Sequence, residues 1–367
     1  MEGSSNGSIA GPRYGIIGAA IVAHAPQLLS MPPSEDKDQI ARSKAAMKAI
    51  GDELRKLEPD LVIVISNCHG EDLVVHCVPP FMIHCGDIVQ GAEKHKGEWR
   101  VDSAAGNALV RQMLDQGFDP AFTLDMDVAT PFTIAYDFCG FDRSKPFLPI
   151  FVNAYVPPQP KPERCFAFGK ALARSLELMQ RRAVIIISDG LSHYPITPMY
   201  PTPDVATDKV IFERIASGNL MHLMSYDETR LDQTGNIECR SLQVLAGAIG
   251  DRKPDSAVLE PSWHHVYAFI GWTSPFVPQN YVPWYPAASS QHVQIVRAVY
   301  ALGQDKEALQ SFLQDRKSFG AKFGLPPDEI EALAQLDEDV LRERYSVNPM
   351  LTFQAKLRTK DKIKTFR

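Results

Sequence analysis

The sequence predicts an α/β domain with helices on both faces of a sheet, followed by a small all-α module at the C-terminal end. Two observations predict it. From residue 14 to about residue 285, short apolar or β-branched runs alternate with longer segments whose apolar residues fall at helical spacing; that alternation suits a sheet covered by helices. After Phe276 to Ala288, a stretch rich in proline and aromatics that breaks the pattern, only helix-like spacing remains. The expected organisation is a lead-in over residues 1–13, an α/β domain over 14–285 and a helical module over 289–367.

Taken in order, Tyr14 to Ala23 is an apolar run that reads as a buried strand. Asp38 to Leu57 carries Ile40, Ala45, Met47, Ile50 and Leu54 at helical spacing and ends before Pro59. Leu61 to Ser66 is a β-branched strand followed at once by Asn67-Cys68-His69-Gly70. Val74 to Ile83 and Pro149 to Asn153 read as extended, and Ser103 to Gln116 and Glu163 to Gln180 as helices. Ala183 to Ser188 is a further buried strand that opens into Asp189-Gly190-Leu191-Ser192-His193-Tyr194. Ile237 to Ile249 has helical spacing, and Val266 to Trp272 is a last apolar strand. Beyond the linker, helices are expected over Gln291 to Leu302, Lys306 to Phe319, Pro327 to Leu336 and Glu338 to Tyr345. Pro326, Pro327, Asp328 and Glu329 form a helix start, with proline and acids in the first turn.

Composition narrows the function. With 367 residues, 45% hydrophobic and 22% charged, the chain has ample core and is neither disordered nor disulfide-dense. Lys and Arg number 38 against 44 Asp and Glu, a net charge of −6, which offers no basic field to nucleic acid. The basic end, Lys356 to Arg367, reads as a solvated tail. The longest apolar run, Gly15 to Ala23, is about half the roughly 20 residues that a membrane helix needs. Met1 to Arg13 has no apolar core, so a secretory signal is not expected and the cytoplasm is the expected location. The six cysteines, at positions 68, 77, 85, 139, 165 and 239, form no C-x-x-C pair and read as thiols.

Several motifs fail on inspection. Gly15-Ile16-Ile17-Gly18 is not a dinucleotide fingerprint, and no phosphate-binding loop of the G-x-x-x-x-G-K type is present. Gly190-Leu191-Ser192-His193-Tyr194 lacks the second glycine of a nucleophile elbow. His264 and His265 are neighbours beside a strand, where adjacent side chains face opposite sides, and read as structural. His76 and His84 read as ordinary polar residues.

Three other histidines share one placement. His24, His69 and His193 each lie in the loop that follows a buried strand, where open α/β sheets carry their functional residues. Glu238, in the first turn of an otherwise apolar helix, is either the carboxylate that completes a metal set or an acid favoured by the helix dipole. Spacing alone leaves both readings open.

The chain resembles the class III extradiol ring-cleavage dioxygenases, in the branch of protocatechuate 4,5-dioxygenase and gallate dioxygenase. The matching pieces are His24-Ala25-Pro26, Asn67-Cys68-His69, Met126-Asp127-Val128, Val152-Asn153 with Arg164 to Gly169, Ser192-His193, and Glu238 ahead of Ala246-Gly247-Ala248. They run in the family's order from residue 14 to about 275. Residues 294 to 354 further resemble the small helical α-subunit of protocatechuate 4,5-dioxygenase, which gallate dioxygenases carry fused. The resemblance implies a central mixed sheet, non-haem Fe(II) held by His24, His69 and Glu238, and His193 as acid/base. A two-histidine, one-carboxylate face suits Fe(II) with open positions. It also implies the reaction: a ring with neighbouring oxygen donors chelates the iron, His193 takes a hydroxyl proton, and both atoms of O2 enter the opened product. A homodimer is the expected assembly.

One departure bears on the substrate. Where that branch continues with Asp-His-Gly after Met-Asp-Val, this chain has Ala129-Thr130-Pro131, which puts Thr130 at the place of a substrate-contacting histidine. A neutral hydroxyl there admits a heterocyclic ring such as 3-hydroxy-4-pyridone beside catecholic acids such as protocatechuate and gallate. Tyr194, Trp272 and Thr273 are expected as pocket walls, and Cys68 as a packed thiol. Two rival readings stand beside this one: a Zn-dependent hydrolase on the same ligands, and a non-catalytic relative of the fold.

Overall fold

The structure is a computed structural model that describes residues 14–67, 77–92, 94–276 and 284–360. Two compact units divide at 278/279. The first begins with β1 (Gly15–Val22), α1 (Lys37–Lys56), β2 (Leu61–Ser66), β3 (Phe81–His84), β4 (Ile88–Gln90) and β5 (Glu98–Arg100). It continues with α2 (Ser103–Asp115), β6 (Ala121–Thr123), α3 (Thr130–Phe138), β7 (Leu148–Val152), α4 (Pro162–Leu178) and β8 (Arg182–Ser188). It closes with α5 (Val205–Ala216), α6 (Glu228–Gln233), α7 (Cys239–Ile249), β9 (Ser256–Pro261) and β10 (Val266–Trp272).

The sheet has eight strands in the order β6-β3-β7-β2-β8-β1-β10-β9. Its centre, β7-β2-β8-β1, is parallel. These strands read as unbroken apolar runs because both faces are covered: every residue of β1, β2 and β7 is buried. Antiparallel neighbours flank the centre, β3 beside β7 and β10 beside β1, so the sheet is mixed. A separate two-stranded ribbon pairs β4 with β5. Helices α1 and α3 pack together on one face; α2, α4 and α7 pack on the other. The contact between α4 and α7 is the closest of these because glycines sit at it. A Cβ on Gly169 would fall 1.9 Å from the Val244 carbonyl oxygen, and one on Gly247 would fall 2.0 Å from that of Phe166.

The second unit contains α8 (Val293–Gln304), α9 (Lys306–Gln314), α10 (Arg316–Lys322), α11 (Pro327–Gln335), α12 (Glu338–Tyr345) and α13 (Pro349–Thr359) around its own apolar core. Two expectations change here. The single helix expected over Lys306 to Phe319 is broken at Asp315, whose carboxylate accepts from the backbone amides of Lys317 and Ser318 and starts α10. The basic segment from Lys356 is not wholly a solvated tail: Lys356 lies within α13, 6% exposed, with its ammonium 2.9 Å from Glu338.

Among the described residues no helix is long and apolar enough to cross a membrane. Cys85, Cys139, Cys165 and Cys239 are buried free thiols, and Cys77 is an exposed one. Cys68, His69 and His76 lie outside the described residues.

Candidate active site

The carboxyl ends of the parallel strands meet at one place. His24 follows β1, Asp189 and His193 follow β8, and Glu238 stands at the N-terminus of α7. All four are buried. Tyr155 reaches the same point from the loop after β7, and His265 from the turn before β10.

Glu238 turns its carboxylate away from its own helix end. It occupies the N-cap position of α7, yet its side chain makes no cap hydrogen bond. Its Oε2 accepts from the Gly190 amide at 2.8 Å, and its Oε1 accepts from the Tyr155 hydroxyl at 2.9 Å. The same Oε1 faces His24 Nε2 at 3.6 Å and His193 Nε2 at 3.4 Å. Burial opposes ionisation of Glu238, yet the facing imidazoles of His24 and His193 hold its carboxyl well below the usual carboxylate range. Asp189, the neighbouring buried acid, moves the other way. Burial and the Glu238 charge push its carboxyl well above that range.

The hydrogen bonds also assign the imidazole tautomers. Ser188 Oγ donates to the Pro131 carbonyl at 2.6 Å, so it accepts from His24 Nδ1, 3.3 Å away. His24 therefore carries a proton on Nδ1, which leaves Nε2, the nitrogen turned toward Glu238, as the one a metal would take. His193 Nδ1 lies 3.0 Å from the Leu191 carbonyl, which can only accept. When neutral, His193 presents Nε2 to the cluster as a base; burial opposes its protonated form, yet the Glu238 charge holds the imidazole above its ordinary value.

This donor set fits a metal ion. Two bonds of about 2.1 Å can bridge donors up to about 4.2 Å apart, and the 3.6 Å between His24 Nε2 and Glu238 Oε1 is within that span. Among the described residues no three His, Cys, Asp or Glu side chains form a complete ligand group. The third expected ligand, His69, lies outside the described residues.

A cleft of about 680 Å³ opens over the cluster, lined by His24, Pro26, Gln27, Lys94, His193, Ile196, Tyr200, His264 and His265, among others. Among the described residues its lining includes one fixed cation, Lys94, and no carboxylate.

Several residues differ from the sequence reading. His264 and His265 both line the cleft, because they sit in a turn rather than on a strand. His265 stacks on His193, with ring centroids 4.0 Å apart and planes 10° apart. His264 stacks on Tyr200 and lies 3.3 Å from Glu35 Oε2. Trp272 and Thr273 do not line this cleft. Strand β10 runs antiparallel to β1, and Trp272 pairs with Ala19, toward the far end of β1 from His24. There the Trp272 indole donates to the Arg252 carbonyl, and the Thr273 amide donates to Asp255. Tyr194 braces the His193 loop instead of facing the cleft. Its hydroxyl donates to the Gln233 carbonyl, and its ring covers Gly235, whose φ of +67° and closeness to the ring both favour glycine. Thr130 is buried at the first turn of α3, beside the Pro131 carbonyl that orients Ser188, and its Oγ1 has no hydrogen-bond partner among the described residues. Sequence reasoning missed Tyr155, Asp189 and the role of His265. The signal for Tyr155 is its place two residues after Asn153, between the matching pieces Val152-Asn153 and Arg164 to Gly169.

With this geometry described, comparison with known proteins places the chain. The family model described as the catalytic LigB subunit of aromatic ring-opening dioxygenase matches residues 18–271, and the chain belongs to that family. Among its relatives are enzymes named 2,3-dihydroxyphenylpropionate/2,3-dihydroxicinnamic acid 1,2-dioxygenase. The one from Mycolicibacterium gilvum (strain PYR-GCK) is 30% identical over 263 residues, 69% of this chain and 76% of the relative. The one from Mycobacterium sp. (strain MCS) is 31% identical over 204 residues, 53% of this chain and 63% of the relative. The one from Comamonas testosteroni is 31% identical over 218 residues, 57% of this chain and 65% of the relative. The chain thus spans less than two thirds of the length of two of these three.

Proposed function

We propose that this protein is an extradiol dioxygenase that opens an aromatic ring next to neighbouring oxygen donors, with Fe(II) held by His24, His69 and Glu238. The observation that carries the reading is the convergence of His24, His193 and Glu238 on one buried point at the carboxyl ends of β1 and β8. When bound there, Fe(II) supplies the chelation of the substrate oxygens and the activation of O2.

The chain's own residues supply the rest. His193 Nε2, fixed in the base tautomer by the Leu191 carbonyl, takes the proton of a substrate hydroxyl and returns it later. The stacked His265 keeps the His193 ring in plane. The Gly190 amide holds the second oxygen of Glu238, leaving Oε1 for the shared centre.

For the ring, the described part of the cleft lining carries Lys94 and no carboxylate, which favours a catecholic acid. Protocatechuate and gallate represent the branch whose motifs the chain resembles, and 2,3-dihydroxyphenylpropionate represents the named relatives. A second reading, a hydroxypyridine such as 3-hydroxy-4-pyridone, is favoured by Thr130, whose buried Oγ1 lacks a hydrogen-bond partner among the described residues. The helical unit after residue 278 is read as a fused α-subunit-like module, and the assembly as a homodimer.

The test is O2 uptake by Fe(II)-reconstituted protein over catechol, protocatechuate, gallate, 2,3-dihydroxyphenylpropionate and 3-hydroxy-4-pyridone, with metal analysis of the purified protein. Uptake matched to ring opening supports the proposal, and the fastest substrate decides between the rings. Bound Zn with no uptake on any ring would instead support the hydrolase.

A further inference from the structure

Tyr155 touches both His193 and Glu238. Its hydroxyl lies 2.9 Å from His193 Nε2 and 2.9 Å from Glu238 Oε1. The backbone that carries it is pinned. Buried Asn153 donates from Nδ2 to the Val156 carbonyl at 2.6 Å and accepts at Oδ1 from the Val156 amide at 3.1 Å. Gln159 Nε2 adds a bond to the Ala154 carbonyl at 3.2 Å. The phenol is therefore aimed by a closed loop rather than left to find its partners.

A phenol donates one hydrogen bond and accepts others. Donation to Glu238 Oε1 orients the carboxylate, and the same oxygen stands ready to accept from His193 whenever Nε2 carries a proton. One rigid group then sets both the direction of a ligand carboxylate and the direction of the acid/base imidazole. Groups that orient ligands from behind contribute about 10- to 100-fold in metal affinity or activity.

We propose that Tyr155 is a positioning residue that couples His193 to Glu238, so that the acid/base group and the carboxylate ligand are aimed as one unit. The proposal rests on the dioxygenase reading above, since it assigns Glu238 to the metal and His193 to the proton.

The test is Tyr155→Phe in the full chain, with two separate readouts. One is the dissociation constant for Fe(II), measured anaerobically by chelator competition with no substrate present. The other is kcat and KM for O2-dependent ring opening at saturating Fe(II). The expected result is a paired loss: metal affinity weaker by about 10- to 100-fold and kcat lower by a similar factor, with KM within about twofold of wild type. A loss in one quantity alone, or in neither, overturns the coupling. Asn153→Ser, which loosens the loop and keeps the phenol, is the second variant. It should give the same paired loss at smaller size, and wild-type values for both quantities would overturn the proposal even if the phenylalanine variant did not fold. Failure of the wild type to consume O2 with any ring would sink the dioxygenase reading, whereas an unchanged Fe(II) constant in both variants would sink this inference alone.

Discussion

His265 lies flat on His193, and the tip of the His265 ring occupies the space that a side chain on Gly190 would need. A Cβ on Gly190 would fall 1.8 Å from His265 Nε2. His265 cannot swing aside cheaply. It is buried, with His193 at 4.0 Å on one side and Tyr267 at 4.8 Å. Gly190→Ala should therefore displace the stacked pair and strain the amide that holds Glu238 Oε2. We expect a loss of about 100-fold in turnover, the scale of a small misplacement of reacting groups, with a stability loss of about 1–3 kcal/mol from overpacking. Turnover assays and thermal melts check both. Wild-type kinetics in this variant would show that the stack has no part in the reaction.

His193→Gln removes the base and leaves the ligand set in place. Turnover should fall by about 10²- to 10⁴-fold, while Fe(II) stoichiometry stays at the wild-type value. Iron analysis beside steady-state kinetics separates the two. If iron is lost together with activity, His193 is a ligand and the assignment of roles among the three histidines is wrong.

The parts of this site that the sequence reveals are those with a strand to point at them. His24 and His193 follow apolar runs of strand length, and a parallel sheet brings such strand ends together whatever lies between them in the chain. Glu238 heads a strongly apolar helix, and no spacing reveals that its carboxylate bonds to Gly190 and Tyr155 instead of capping that helix. Tyr155 sits in a loop with no periodicity, where position is decided by the Asn153 side chain and not by any spacing. His265 was misjudged because the rule of alternating faces holds on strands and fails in the turn before β10. Trp272 and Thr273 were misplaced because strand direction is not written in an apolar run; β10 returns antiparallel, which sends its C-terminal residues away from the site.

Two buried groups give stability opposite slopes in the same acid window. Burial lowers the His84 imidazole to about 4 from an ordinary value of 6.5. The unfolded chain then binds a proton there first, and stability falls as pH drops from 6.5 toward 4. Burial raises the Asp208 carboxyl from 3.8 to about 6, even though Ser192 donates to it from both its amide and its hydroxyl. The folded chain holds that proton more tightly, so this group adds stability at low pH and loses it as pH rises from 3.8 through 6. Each shift is worth about 3 kcal/mol. His84→Leu should flatten the acid loss, and Asp208→Asn should steepen it by removing the opposing slope. Urea midpoints at pH 4, 5, 6 and 7 read both. Parallel wild-type and variant curves would contradict the assignment.

The position of Glu238 depends on packing well away from it. Helix α7 carries Glu238 at its head and lies against α4 at two reciprocal glycine contacts, Gly169 on the Val244 carbonyl and Gly247 on the Phe166 carbonyl. Both obstacles are backbone, so neither can turn out of the way of a new methyl group. Gly169→Ala and Gly247→Ala should each push α7 off α4, costing about 1–3 kcal/mol by overpacking and moving the carboxylate relative to His24. The effect on the site should exceed the effect on the fold: weaker Fe(II) retention on desalting, in a protein that still melts cooperatively. Combining the two substitutions should cost less than the sum of the separate losses, because the first already opens the gap that the second needs. Fully additive losses with unchanged iron retention would mean that the helix contact serves stability alone and that Glu238 is held by Gly190 and Tyr155 without it.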